Sequence, residues 1–182
     1  RIAVVGPSGA GKSTLAMLLM RQLDPDAGTV QLEGVDLREL DPDGLRLHIG
    51  LLSQRPVLFR DTLAENLRMA QPGASAGELM HALEIAGLGA FVAGLEDGLD
   101  TWIDEAGSNL SGGEARRVSL ARLALTDCPV VILDEPTTGL DAATARGLAQ
   151  TLDRWLAGRT TVMITHDPEL LPRFDRVVRL SP

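Results

Sequence analysis

The sequence predicts an α/β fold built on a mainly parallel sheet, and three observations carry that expectation. Short runs rich in Val and Ile alternate with helical patterns along the whole chain. These runs are almost continuously apolar, as strands covered on both faces are. The middle of the chain instead carries helix signals without Val-rich runs. The first strand is expected at Ile2-Ala3-Val4-Val5, with a helix over 13–22 after it. Asp24-Pro25-Asp26-Ala27-Gly28 reads as a turn, 29–33 as a strand, Gly34 as a second turn and 35–37 as another strand, giving an antiparallel flap. Strands follow at 49–53, 130–133, 160–165 and 176–180. Between them, 61–126 reads as an inserted helical subdomain with helices at 62–67, 76–86, 88–94 and 114–125, broken by Gly107, Gly112 and Gly113. Ser75 and Glu78 form a capping box ahead of the second of these helices. Because the sheet resumes at Val130, the expectation is one domain over 1–182.

Composition narrows the class. A chain of 182 residues with 45% hydrophobic residues is ample for one core, and its single cysteine cannot pair within the chain. No apolar run reaches the ~18–20 residues of a membrane span. The formal charge of −8 speaks against nucleic acid as a partner, since phosphate backbones attract basic surfaces. The chain opens on Arg1 directly into a strand and closes on Arg176-Val177-Val178-Arg179-Leu180-Ser181-Pro182, another strand. Those abrupt ends lead us to expect a piece of a longer polypeptide.

Three motifs carry chemistry. Gly6-Pro7-Ser8-Gly9-Ala10-Gly11-Lys12-Ser13 lies between the first strand and its helix. Its glycines let the loop fold back so that backbone N–H groups and the helix N-terminus face nucleotide phosphates. Lys12 would reach the β- and γ-phosphates and Ser13 would place its hydroxyl on Mg²⁺; the bland alternative is a Gly-rich turn. Val130-Val131-Ile132-Leu133-Asp134-Glu135 is an apolar strand ending in two carboxylates. Asp134 would enter the Mg²⁺ shell and Glu135 would polarise a water in line with the γ-phosphate, unless the strand simply leaves into an acidic turn. Leu110-Ser111-Gly112-Gly113-Glu114 opens a helix that carries Arg116, Arg117 and Arg122. It reads both as a capping box and as a second anion site. The economical way to use two such sites is a second copy or partner docked head to tail.

In this order and spacing, the phosphate loop, Leu-Ser-Gly-Gly-Glu and Ile-Leu-Asp-Glu-Pro resemble the nucleotide-binding domain of an ABC (ATP-binding cassette) transporter, over essentially the whole chain. The resemblance implies a P-loop NTPase three-layer sandwich of the ABC ATPase type, ATP and Mg²⁺ as cofactors, and ATP held between two head-to-tail domains. It implies a nucleotide cradle of Gly6, Pro7, Ser8, Gly9, Ala10, Gly11, Lys12, Ser13 and Thr14. Ser111, Gly112, Gly113 and Asp141, the last from a loop that crosses the dimer interface, would complete it. Ser13, Gln54 and Asp134 would hold the metal; Glu135, His166 and Gln54 would serve catalysis. His48, His81 and Cys128 match nothing and read as packing or surface residues.

The stretch Pro56-Val57-Leu58-Phe59-Arg60-Asp61-Thr62-Leu63-Ala64-Glu65-Asn66 and Thr101-Trp102-Ile103-Asp104-Glu105-Ala106-Gly107 resemble the exporter versions, which contact the coupling helices of transmembrane domains. That implies transmembrane domains as partners and the inner (plasma) membrane as location, this domain on its cytoplasmic face. Glu114 with Pro136-Thr137-Thr138-Gly139-Leu140-Asp141 is similar to the CydC-type subunit of the heterodimeric exporter of cysteine and glutathione. Departures are Thr138-Gly139 for the commoner Ser-Ala and the acid Glu114, which imply a weaker ATP site at this signature. The absence of Tyr leaves no aromatic of that kind for the adenine, whose usual stacking position precedes the phosphate loop. Rival readings are a soluble cassette ATPase acting on DNA or ribosomes, and a binding module that does not hydrolyse ATP.

Overall fold

The computed structural model describes residues 1–55 and 57–181. Pro56, in the exporter-like stretch, and Pro182, in the closing strand, lie outside the described residues. In chain order the first elements are β1 (Ile2–Val5), α1 (Lys12–Leu19), β2 (Gln31–Leu32), β3 (Val35–Asp36), α2 (Pro42–His48) and β4 (Ile49–Leu52). There follow β5 (Asp61–Thr62), α3 (Leu63–Arg68), α4 (Ala76–Ile85), α5 (Gly89–Ala93), β6 (Trp102–Ile103) and α6 (Gly112–Ala124). The chain ends with β7 (Val130–Asp134), α7 (Ala142–Trp155), β8 (Thr160–Ile164) and β9 (Arg176–Arg179).

The five-stranded sheet has the order β4-β7-β8-β1-β9, and β7–β8, β8–β1 and β1–β9 all pair in parallel. The fold is therefore α/β with a mainly parallel sheet, as the alternating Val-rich runs predict. Two small antiparallel sheets accompany it, β2–β3 and β5–β6. The expected flap is real, but it forms a sheet of its own with two residues per strand, closed by Glu33 and Gly34 at φ 51° and 83°. Two successive positive φ values give the turn whose twist suits a two-residue hairpin.

Two compact units make up the chain. One comprises Arg1–Leu51, Asp127–Glu135 and Gly158–Pro182. Its core gathers Val4, Ala16, Leu37, Leu45, Ile49, Ile132 and Ile164. The helix expected over 13–22 ends at Leu19 because Arg21 adopts φ 51°, so that Arg21 N–H reaches Leu18 O and Gln22 N–H reaches Met17 O. This is a left-handed helix stop, with arginine where glycine is usual. The Arg21 guanidinium offsets the strain by donating to Leu40 O at 2.7 Å. Helix α2 is absent from the sequence reading although its signals are present: Asp41 accepts from Gly44 N–H as N-cap, and Pro42 occupies the first turn.

The other unit comprises Leu52–Thr126 and Pro136–Ala157. Helices α3, α4, α6 and α7 pack within it around fully buried Leu63, Leu67, Leu79, Leu83 and Leu120. Ser75 and Glu78 cap α4 reciprocally, as expected. Helix α7 is likewise absent from the sequence reading, although Asp141 caps it by accepting from Ala143 and Thr144 N–H. Leu79 is wholly buried in α4, so Leu79→Ala leaves a cavity that lowers stability by about 2–5 kcal/mol. Thermal or denaturant unfolding measures this; a loss below about 1 kcal/mol would contradict the packing.

Candidate active site

The sheet unit builds the first half of the site by register. Asp134 pairs with Ile164, and Ile164 with Val4, so β7, β8 and β1 end level with one another. Ligands of open α/β sheets bind beyond such carboxyl ends. Glu135 follows β7 at once, His166 lies two residues beyond Ile164, and Gly6 two beyond Val4.

The loop from Gly6 owes its path to glycine at two kinds of position. Gly9 and Gly11 take φ 82° and 88°, with open space where a Cβ would stand. A Cβ on Gly6 would instead lie 2.6 Å from Leu180 O. Helix α1 begins on Gly11 with no side chain capping its first N–H groups and no acid in its first turn. Its N-terminus is thus left for an anion, which the helix dipole and the N–H groups both favour. Lys12 Nζ donates to Gly6 O and Pro7 O, each at 2.8 Å, which holds a cation over the loop.

Ser13 Oγ donates to Asp134 Oδ2 at 3.4 Å, and Asp134 is buried. A hydroxyl and a carboxylate oxygen at the head of a phosphate-binding helix suit Mg²⁺, a hard cation that takes oxygen ligands and shares them with phosphates and water. Among the described residues no cluster of three His, Cys, Asp or Glu forms a metal cage, so such an ion would need the nucleotide's oxygens. Glu135 sits at φ 56°, a left-handed conformation costing a non-glycine residue about 1–2 kcal/mol. Glu135 N–H donates to Ile164 O at 2.9 Å, and His166 Nδ1 donates to Glu135 Oε2 at 2.7 Å. The Glu135 side chain is 11% exposed and that of His166 is 71% exposed, so an exposed ring aims a nearly buried carboxylate.

The helical unit carries the other expected residues. Ser111 is the N-cap of α6: its Oγ accepts from Glu114 N–H at 3.2 Å and donates to Glu114 Oε2 at 2.7 Å. The capping-box reading of Ser111 and Glu114 is therefore correct. Ser111, Gly112, Gly113, Arg116, Gly139 and Asp141 line one concavity. A Cβ on Gly113 would stand 3.1 Å from Leu140, so the signature and the 139–141 loop are packed together. Asp141 Oδ2 accepts from Thr144 Oγ1 at 2.5 Å. That hydroxyl first, then the N–H groups of Thr144 and Ala143, hold its carboxyl below the usual carboxylate range. Gln54 belongs to this unit too, and its backbone carbonyl accepts from the Arg116 guanidinium, which also reaches Thr138 O. Sequence reasoning missed Arg116 and Thr144 as site-shaping residues; only their places one turn into helices α6 and α7 hint at it.

The model of the ABC transporter family matches residues 1–138. The chain belongs to the ABC transporter family. It is 43% identical over 181 residues to an ATP-dependent lipid A-core flippase of Thiobacillus denitrificans, covering 99% of this chain and 31% of that protein. It is 46% identical over 165 residues to the beta-(1→2)glucan export ATP-binding/permease protein NdvA of Nitrobacter winogradskyi, covering 91% of this chain and 27% of that one. A solved bacterial Atm1-family ABC exporter with ATP bound superimposes with a TM-score of 0.94 and 38% identity, over 100% of this chain and 32% of that chain. The chain thus spans about a third of these exporter-type relatives, and it corresponds to the ATP-binding domain of an ABC transporter.

Two outcomes follow from the geometry of this ABC domain. Gly6→Ala forces Leu180 O aside and should cost about 1–3 kcal/mol in thermal unfolding, more than Gly9→Ala, which meets only strain. Equal losses would contradict the close approach. Because the folded pKa of Asp141 lies below its unfolded value, its capping of α7 is fully present above the ordinary carboxylate range. That contribution disappears as pH falls through the folded value. Once corrected for the intrinsic pH dependence of exchange, the protection of the Ala143 and Thr144 amides should fall on the acid side in the natural chain and stay flat in Asp141→Asn, which keeps an acceptor; identical profiles would contradict the cap.

Proposed function

We propose that this domain binds and hydrolyses ATP to power export by a larger membrane transporter. The observation that carries the reading is the alignment, at one edge of the sheet, of an uncapped phosphate loop, the Ser13–Asp134 pair and the Glu135–His166 pair. Gly6 to Thr14 would wrap the phosphates, with Lys12 leaving its loop carbonyls for the β- and γ-phosphate oxygens. Ser13, Asp134 and Gln54 would hold Mg²⁺, which when bound neutralises charge between the phosphate oxygens. Glu135 would orient and deprotonate the attacking water, held in place by His166 through Nδ1, whose Nε2 remains for the γ-phosphate. Placement and fixed charge supply the rate, since the loose transition state of phosphoryl transfer asks for little covalent chemistry from the protein.

The second anion site, at Ser111–Gly113 with Asp141, would serve ATP held by the phosphate loop of a second such domain docked head to tail. Its support is the signature concavity, where a helix N-terminus, two glycines and Arg116 converge. Closure of the two domains would move transmembrane domains that meet the 57–66 and 101–107 segments. The transporter would then sit in the inner (plasma) membrane, with this domain on the cytoplasmic side. The flippase, glucan-export and Atm1-family relatives support export as the direction. Cysteine and glutathione as cargo, with a second and different cassette as partner, is the finer reading that Glu114 and Thr138-Gly139 suggest. The charge of −8 weighs against the nucleic-acid or ribosome alternative, and the presence of both Glu135 and His166 against a module that only binds ATP.

Glu135→Gln keeps the size of the side chain and removes the base. ATP turnover in the assembled transporter should fall by about 10²-fold or more while an ATP-bound dimer accumulates on size-exclusion chromatography. Undiminished turnover would remove Glu135 from the role.

A further inference from the structure

Helix α6 has two ends, and only the first is accounted for by nucleotide. At the other, Arg122 lies in the last turn. A cation there usually interacts with the helix's own final carbonyls. Arg122 instead turns outward to the 57–66 segment: Nε donates to Asn66 O at 2.9 Å, Nη1 to Val57 O at 2.8 Å and Nη2 to Asn66 Oδ1 at 3.2 Å. The guanidinium also stands over the Phe59 ring, 5.9 Å from its centroid.

Asn66 has no exposed surface at all. Its Oδ1 accepts from Phe59 N–H at 2.9 Å, and its Nδ2 donates to Phe59 O at 2.8 Å and Thr62 O at 3.0 Å. One buried amide therefore fixes both ends of the 59–62 loop, and one guanidinium fixes that amide to α6. The partners of Arg122 are neutral oxygens, and burial pushes its pKa down. A half-buried cation with no opposite charge against it among the described residues is a poor source of bulk stability, because an apolar residue would fill the space without the desolvation cost. What a planar fork with fixed donors supplies is orientation.

The outer side of the same loop is open and carries exposed apolar side chains among charged ones. Val57 is 60% exposed and Phe59 46%, and Met69, 54% exposed, shares a groove with Phe59, Asp61, Glu65 and Arg68. The loop thus has an inner side gripped by Arg122 and Asn66 and an outer side open to a partner. The gripped helix is 13 residues long and so spans about 20 Å from Arg122's turn to the signature.

We propose that Arg122 and Asn66 are positioning residues that bind the 57–62 loop to α6 as one rigid piece, so that a displacement of the loop by its partner is delivered to Ser111–Gly113. The identity of that partner, a transmembrane domain, rests on the proposed function; the rigid link does not. Hydrogen exchange on the 182-residue chain tests the link without nucleotide, using Arg122→Met, which keeps length and removes every donor, and Arg122→Lys, which keeps the charge and loses the fork. In both, exchange in 57–62 and in 111–115 should rise together, by about tenfold in Arg122→Met and less in Arg122→Lys, while α4 stays unchanged. A rise confined to 57–62, or one spread through the whole unit, would overturn the proposal. In the parent transporter, the factor by which the membrane domain alters ATP turnover should fall toward one in Arg122→Met, with KM for ATP of the separate chain kept within about twofold. An unaltered factor would equally overturn it. A natural chain that turns over no ATP would instead defeat the ATPase reading and leave the exchange result to stand alone.

Discussion

The pairing of Asp134 with Ile164, and of Ile164 with Val4, fixes the height at which three parallel strands stop. Everything chemical in the sheet unit hangs from that height. A slip of one residue would reverse which face each side chain meets, burying Glu135 away from His166 and moving Asp134 from the hydroxyl of Ser13. The register is held by the apolar residues that the strands bury, Val4, Ile132 and Ile164 among them. The core and the chemistry therefore share one cause. The strain at Glu135, φ 56°, is the local consequence: the chain must turn sharply to leave the strand while its carboxylate stays at the edge.

In the helical unit the organising element is α6. Its N-terminus forms the signature through the Ser111–Glu114 capping box, its first turns hold the carbonyls of Gln54 and Thr138 through Arg116, and its last turn grips the 57–66 segment through Arg122. A helix is stiff over such a length, so its arginines act on fixed points of one rod. The acid at Glu114 completes the cap with the same geometry a glutamine could provide, but it adds negative charge beside a hydroxyl that the proposed function offers to a phosphate.

Legibility in the sequence followed the range of the physics. The phosphate loop could be read because its requirement, glycines at fixed offsets between strand and helix, is local. The Asp134-Glu135 strand end and the two capping boxes could be read for the same reason. Helices α2 and α7 have the same local signals, Asp41-Pro42 and the Asp141 cap, but each signal is also good turn chemistry, and neither helix carries a motif that separates the two readings. The end of α1 could not be foreseen, since Arg21 takes a conformation that sequence rules reserve for glycine. Neither the His166–Glu135 bond nor the Arg122–Asn66 clamp is written in any pattern. The first depends on the register of β7 against β8, and the second joins residues 56 apart.

The proposed function requires one chain to offer two different halves of a nucleotide site, one at Gly6–Ser13 and one at Ser111–Gly113, each completed by a second domain. Mixing two inactive chains is the decisive measurement. Lys12→Ala disables the loop and keeps the signature; Gly112→Asp disables the signature and keeps the loop. Head-to-tail pairing predicts that the mixture regains ATP turnover that neither variant shows alone, because the intact loop of one meets the intact signature of the other. A mixture as inactive as its components, with each variant folded and the natural chain active, would contradict the claim.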